Sequence, residues 1–229
     1  MTLPGDFLDY YLSLGYYRMS QDLFTCRFLP HAGGLHTTHW LRVVLSQVQY
    51  GPRQRQLLRL NERFTTIVRP FQLTAEYEAL YVRYHESLEF DTAASLESLL
   101  LDGSPDTIFD THVVEVRDGG QLIAAGIFDR GTTALMGIVN FYDPAYRKHS
   151  LGKYLLLCKV AYACHQQLTY YYPGYLVHSY PKFDYKLFAC PAATQVYDCL
   201  GGQWLPFSWE EVARQSAALW EERLRVGEE

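Results

Sequence analysis

After residue 72 the spacing of apolar positions changes character several times. Residues 73–87 and 92–101 repeat at helical spacing, and Thr74 stands where a helix N-cap belongs. The period then falls to two. Residues 108–116 and 121–129 alternate on either side of Arg117-Asp118-Gly119-Gly120, the pattern of a hairpin. Residues 134–143 supply a third strand, Ser150 caps a helix running to about Gln166, and residues 169–177 read as a further strand. Before Pro70 the signal is shorter: a helix at 7–14, strand-like runs at 23–29 and 40–48, then an arginine-rich helical segment. The pattern therefore predicts an α+β fold, a mixed sheet with flanking helices. It divides into a small N-terminal α+β module at 1–69 and a larger domain at 70–229.

Composition narrows the class of partner. Nearly half of the 229 residues are apolar, and 19 are Tyr, which suits a cored protein with a polar, aromatic-lined cleft. The formal net charge of −5 argues against a generic basic nucleic-acid binder, so any such contact must use a local patch. No run approaches 18 apolar residues, and the first residues carry neither a basic nor an apolar leader segment, so neither a membrane partner nor secretion is expected. Five cysteines without a C-x-x-C pair point to reduced thiols and a cytoplasmic location.

Candidate chemistry begins at Tyr146–Leu157, YRKHSLGKYLLL. A helix start offers unpaired N–H groups and partial positive charge to an anion. Arg147, Lys148 and Lys153 add full charges, Ser150 a hydroxyl, and Gly152 room for close approach. Further along the helix, Leu151, Leu155, Cys158 and Tyr162 share one face and should be core. The run Arg147-Lys-His-Ser150-Leu-Gly152, following three strands, resembles the pyrophosphate loop of GCN5-related N-acetyltransferases. Ser150 replaces that pattern's middle glycine, and Lys148 with His149 adds bulk. The resemblance implies an acyltransferase-like catalytic domain.

Two longer motifs carry a closer resemblance. Tyr142-Asp143-Pro144-Ala-Tyr146-Arg147-Lys-His-Ser150-Leu151-Gly152 and Gly174-Tyr175-Leu-Val177-His-Ser-Tyr180-Pro181-Lys182-Phe183-Asp-Tyr185-Lys186 resemble the C-terminal domain of the aminoacyl-tRNA–protein transferases, arginyl and leucyl. The segment 51–61, GPRQRQLLRLN, is similar to that family's N-terminal arginine-rich run. On a helix, Arg55, Arg59 and Arg63 would form a stripe opposite Leu57, Leu60 and Phe64, and with Arg53 would suit a tRNA backbone. The family's N-terminal cysteine cluster is absent, with Ala32, Leu35 and Thr38 at those places. His31, His36 and His39 stand nearby, but no acid or thiol completes a metal set.

The resemblance implies an enzyme that moves Arg or Leu from charged tRNA to the α-amine of a protein with an acidic N-terminus, the chemistry of an N-degron. Aminoacyl-tRNA is then a co-substrate, and no cofactor is expected. Aminolysis of an activated ester asks mainly for positioning and oxyanion stabilisation. Arg147, Lys182 and Lys186, with Ser150 and Gly152, are the candidates for carboxylate or phosphate recognition. Tyr175 and Tyr185 would orient the amine or donate to the oxyanion, and His178 would accept a proton. Two other readings remain: an acyl-coenzyme A-dependent N-acyltransferase, and a non-catalytic relative that only binds N-degrons or tRNA.

Overall fold

A computed structural model describes residues 2–31, 33–88 and 92–227. It is α+β, built on one large mixed sheet with helices against both faces. The chain opens with α1 (Gly5–Ser13), then β1 (Tyr17–Met19), β2 (Asp22–Phe24), β3 (Phe28–His31) and β4 (Gly34–Val44). Helix α2 (Pro52–Asn61) and strand β5 (Thr65–Pro70) follow. Next come α3 (Ala75–Glu86), α4 (Leu96–Leu100) and the antiparallel strands β6 (Thr111–Asp118), β7 (Gln121–Arg130) and β8 (Ala134–Tyr142). Helix α5 (Leu151–His165), β9 (Tyr170–Val177), β10 (Thr194–Asp198), β11 (Gln203–Pro206) and α6 (Trp209–Gly227) complete it.

The predicted hairpin and third strand are present, and Thr74 caps α3 by accepting from the Tyr77 N–H. Ser95 caps α4, so that helix starts after residue 95 and not at 92. The run at 23–29 is two short strands, and the long strand β4 ends at Val44, short of 48. Strand β5 had no clear alternating signal. It is an edge strand with most side chains exposed, so its pairing with β6 leaves little hydrophobic pattern.

The sheet order is β11-β10-β4-β9-β8-β7-β6-β5, with β3 on β4. Strands from either side of Pro70 thus share one sheet: β4 lies between β10 and β9, and β5 pairs with β6. Among the described residues the strand pairings are antiparallel except β8 with β9. That parallel pairing lasts only from Ala134–Met136 against Tyr170–Tyr172. Beyond it β8 continues against β7 alone and β9 against β4 alone, and the two strands part.

Helix α5 packs on one face, with Leu151, Leu155, Leu156, Leu157 and Val160 buried beside Val114, Ile123 and Phe128. Helices α3 and α4 cover part of the opposite face, with Tyr77, Leu80 and Leu96 packed in one cluster with Phe141 of β8. Of the predicted α5 stripe, Leu151 and Leu155 are fully buried, and Cys158 and Tyr162 pack at its margin. No helix among the described residues is long and apolar enough to cross a membrane.

Candidate active site

Where β8 and β9 part, a cleft of about 1130 Å³ opens. Gly137 to Asn140 of β8 form one wall and Pro173 to Tyr175 of β9 another, while the start of α5 and a 3-10 run at Pro181–Phe188 close the ends. Diverging strands leave edge N–H and C=O groups without sheet partners, so such a fork is a natural place for a ligand. Gly137 is required there, because a Cβ would lie 2.7 Å from the Tyr171 hydroxyl.

The motif Tyr142-Asp143-Pro144 makes the approach to α5. The Asp143 carboxylate accepts from the Ala145 N–H at 2.9 Å and starts a 3-10 run at Pro144–His149. Tyr142 lines the cleft. His149, which the sequence suggested would crowd the loop, turns inward and is buried 5.0 Å from the ring of Phe64. Burial and the neighbouring Lys148 hold its pKa below the usual imidazole value. Buried Asn61 donates to the carbonyls of His149 (3.1 Å) and Leu57 (2.9 Å), tying the end of α2 to this loop.

Arg147, Ser150 and Gly152 line the cleft from this side. Ser150 does so differently from the expectation. It occupies the N-cap position of α5 in a left-handed conformation (φ 48°) and its side chain makes no capping bond, so the first N–H groups of α5 have no hydroxyl partner from it. Across the cleft stand Tyr175, Lys182, Tyr185 and Lys186. Lys186 Nζ donates to the Tyr175 carbonyl at 2.6 Å and sits 4.7–4.9 Å from the ring centres of Phe183 and Tyr175. Burial lowers its pKa to about 7. Burial also raises the Tyr175 hydroxyl pKa, keeping it a proton donor at neutral pH.

His178 does not join this group. Strand alternation puts Tyr175 on the cleft side and Leu176 and His178 on the side covered by α6. The His178 ring lies 6.5 Å from that of His39, which is buried among Thr37, Gln215 and Ser216. As a cleft base, His178 is therefore displaced by the strand's own period. The same alternation turns His39 away from His36, whose ring is 6.4 Å from that of His31. Ala32 lies outside the described residues.

The arginine stripe is only partly realised. Helix α2 ends at Asn61, so Arg63 lies beyond it and pairs with Asp118 at 2.9 Å. Arg55 bonds the Tyr50 carbonyl, and Leu60 is 47% exposed, so it does not oppose the stripe. Arg59 is exposed on the helix. Arg53 meets Lys153 and Lys182 around a smaller depression of about 480 Å³ beside the main cleft.

Sequence reasoning missed Tyr17, Tyr84, Asn140 and Lys159, all of which line the cleft. The first three carry no local signal, because strand splaying and helix packing bring them in. Lys159 did carry one: a single lysine inside the otherwise apolar run 154–163.

Residues 76–194, just over half of the chain, match the family model described as arginine-tRNA-protein transferase, C terminus. The chain belongs to this family. It is 29% identical over 177 residues to an aspartate/glutamate leucyltransferase of Hahella chejuensis, covering 75% of this chain and 74% of that one. It is 30% identical over 150 residues to one of Nitrosococcus oceani, covering 63% and 62%. Among solved structures it is similar to FemX (TM-score 0.45, 10% identity, 83% of this chain and 66% of that one). It is also similar to a GCN5-related N-acetyltransferase from Kribbella flavida (TM-score 0.33, 14% identity, 59% and 47%).

Proposed function

We propose that this enzyme, a member of the aminoacyl-tRNA–protein transferases, transfers leucine from charged tRNA to the α-amine of proteins beginning with Asp or Glu. The observation that carries the reading is the convergence of Arg147, Lys182 and Lys186 on one cleft. Cations facing an aromatic, partly apolar cavity suit an acidic acceptor and an apolar aminoacyl group. The relatives named aspartate/glutamate leucyltransferase support the same choice.

The acceptor's acidic side chain pairs with Lys186 or Lys182, which places its α-amine in the fork between β8 and β9. An α-amine has a reference pKa of about 7.7–8.0, so a sizeable neutral fraction is available at physiological pH without a strong base. The amine nitrogen bonds to the ester carbonyl carbon and the carbon–oxygen bond to the terminal ribose breaks. The amine proton leaves to solvent, and the ribose oxygen is protonated. The Tyr175 or Tyr185 hydroxyl donates to the oxyanion that forms in between. The tRNA phosphates lie over Arg147 and Lys153 at the α5 side of the cleft and over Arg53 in the depression beside it. A charged-tRNA substrate also fits a cytoplasmic enzyme.

Incubation with leucyl-tRNA or arginyl-tRNA and peptides beginning Asp, Glu or Ala tests the reading. Leucine transfer to Asp and Glu peptides supports it. Transfer of arginine alone would replace the donor assignment, and equal transfer to Ala peptides would remove the acidic pocket.

A further inference from the structure

Lys159 is buried in α5, with 1% of its surface exposed, and its ammonium is directed into the sheet. Nζ donates to the carbonyl of Ile127 on β7 at 2.7 Å and to that of Val139 on β8 at 3.3 Å. These two residues are register partners at a β-bulge: Ile127 faces Val139, whereas Phe128 faces Gly137, so Ile138 is the extra residue. A bulge interrupts the ladder and leaves groups without their ordinary sheet partner. The lysine head group meets a carbonyl from each of the two strands at the pair that borders the interruption.

The neighbourhood is shaped around this contact. A Cβ on Gly126 would come within 2.9 Å of both Lys159 Cε and Asn140 Oδ1. Asp129, the carboxylate on β7, is held by Arg18 at 2.8 and 2.9 Å and by Thr111 at 2.6 Å; its charge favours the ammonium, whose hydrogen bonds go to the two carbonyls. Enclosing an ammonium is costly without compensating bonds, and a purely packing position would take Leu or Met at no such cost. The bulge also lies where β8 has just left β9, and Gly137, Ile138, Val139 and Asn140 together form the cleft wall.

We propose that Lys159 is a positioning residue: its head group bridges β7 and β8 across the bulge and fixes the free edge at residues 137–140 against which the reactants are aligned. This rests on the transferase reading for its consequence in catalysis, but its structural part can be measured separately. The geometry of a near-attack complex is sensitive to small displacements, so a wall that shifts lowers turnover more than binding.

The test uses two variants of the full chain, Lys159→Met, which removes the head group, and Gly126→Ala, which crowds it away from the bulge. Hydrogen–deuterium exchange at residues 137–142 is followed beside leucine transfer. In both variants exchange there should rise by about tenfold, with β6 unchanged. In both, kcat should fall by at least about tenfold while KM for the acidic peptide stays within about twofold. Unchanged exchange at 137–142 in both variants, or a kcat within twofold of the parent, overturns the proposal. So does a rise in KM with kcat intact. If the parent chain transfers nothing, the transferase reading fails, and exchange alone still decides whether Lys159 holds the bulge. If Lys159→Met does not fold, Gly126→Ala carries both readouts.

Discussion

Lys186 Nζ donates to the main-chain carbonyl of Tyr175 at 2.6 Å and lies 4.9 Å from the centre of the same residue's ring. One residue thus supplies both an acceptor and a π-face, each favouring the cation, while enclosure disfavours it. Burial wins, and the pKa falls to about 7. Lys186 is therefore protonated below that value and neutral above it. If it meets the acceptor's carboxylate, discrimination for Asp over Ala peptides should be strongest near pH 6 and narrow as pH rises through about 7. A bound carboxylate would move that inflection upward. Comparing the two peptides cancels the titration of their α-amines. Lys186→Met should flatten the pH dependence, and a preference constant from pH 6 to 9 would remove Lys186 from acceptor recognition.

The glycine beneath that ammonium gives a second expectation. Gly174 has φ +101°, and a Cβ there would stand 3.3 Å from Lys186 Nζ and 3.5 Å from the Tyr17 hydroxyl. Gly174→Ala should cost on the order of 1–2 kcal/mol in stability from the backbone alone. It should also weaken acidic-peptide binding by displacing the ammonium. Denaturant melts beside peptide titrations separate the two effects. Full stability with normal binding would show that β9 can bend here without glycine.

Salt dependence of tRNA binding separates the arginines. Arg53 and Lys153 flank the depression beside the cleft, whereas Arg63 is engaged by Asp118. Replacing Arg53 and Lys153 together by Gln should weaken binding and reduce the slope of log K against log salt by about 1–2. Arg63→Gln should leave that slope nearly unchanged. The reverse result would place the tRNA along the far end of α2.

On the opposite face of the sheet, enclosure lowers the pKa of His39 to about 4, despite its contact with Gln215. An unfolded imidazole binds its proton near 6.5, so the unfolded chain carries more protons between the two values. The stability His39 contributes is present above about 6.5 and is lost as pH falls towards 4. It amounts to ~3 kcal/mol at most. His39→Gln should reduce the acid sensitivity of the thermal midpoint across that window. The neighbouring His178→Ala should leave leucine transfer within about threefold, because its ring is on the α6 side. A large kcat loss would reinstate it as a proton acceptor.

The hairpin of β6 and β7 and the helix after Ser150 were legible in the sequence because one buried face imposes a fixed period. So was the gathering of Arg147, Lys182 and Lys186, through the two long motifs. His178 was misplaced because a motif conveys proximity along the chain, and strand alternation decides the face. Arg63 was misplaced because α2 ends at Asn61, whose side chain bonds the loop carbonyl of His149. Tyr17, Tyr84 and Asn140 enter the cleft through helix packing and strand divergence, which are relations between segments far apart in sequence, whereas Lys159 stood out in its apolar run without showing which carbonyls it meets.

Transfer of leucine to an acidic N-terminus can be read directly. The purified chain is mixed with tRNA charged with isotopically labelled leucine and with a peptide beginning with Asp, and the product is sequenced by mass spectrometry. The expected product is a peptide heavier by one leucyl residue, joined through an amide to the former N-terminal nitrogen, with little product from the matching Ala peptide. Unmodified Asp peptide in the presence of intact leucyl-tRNA would contradict the proposed transfer.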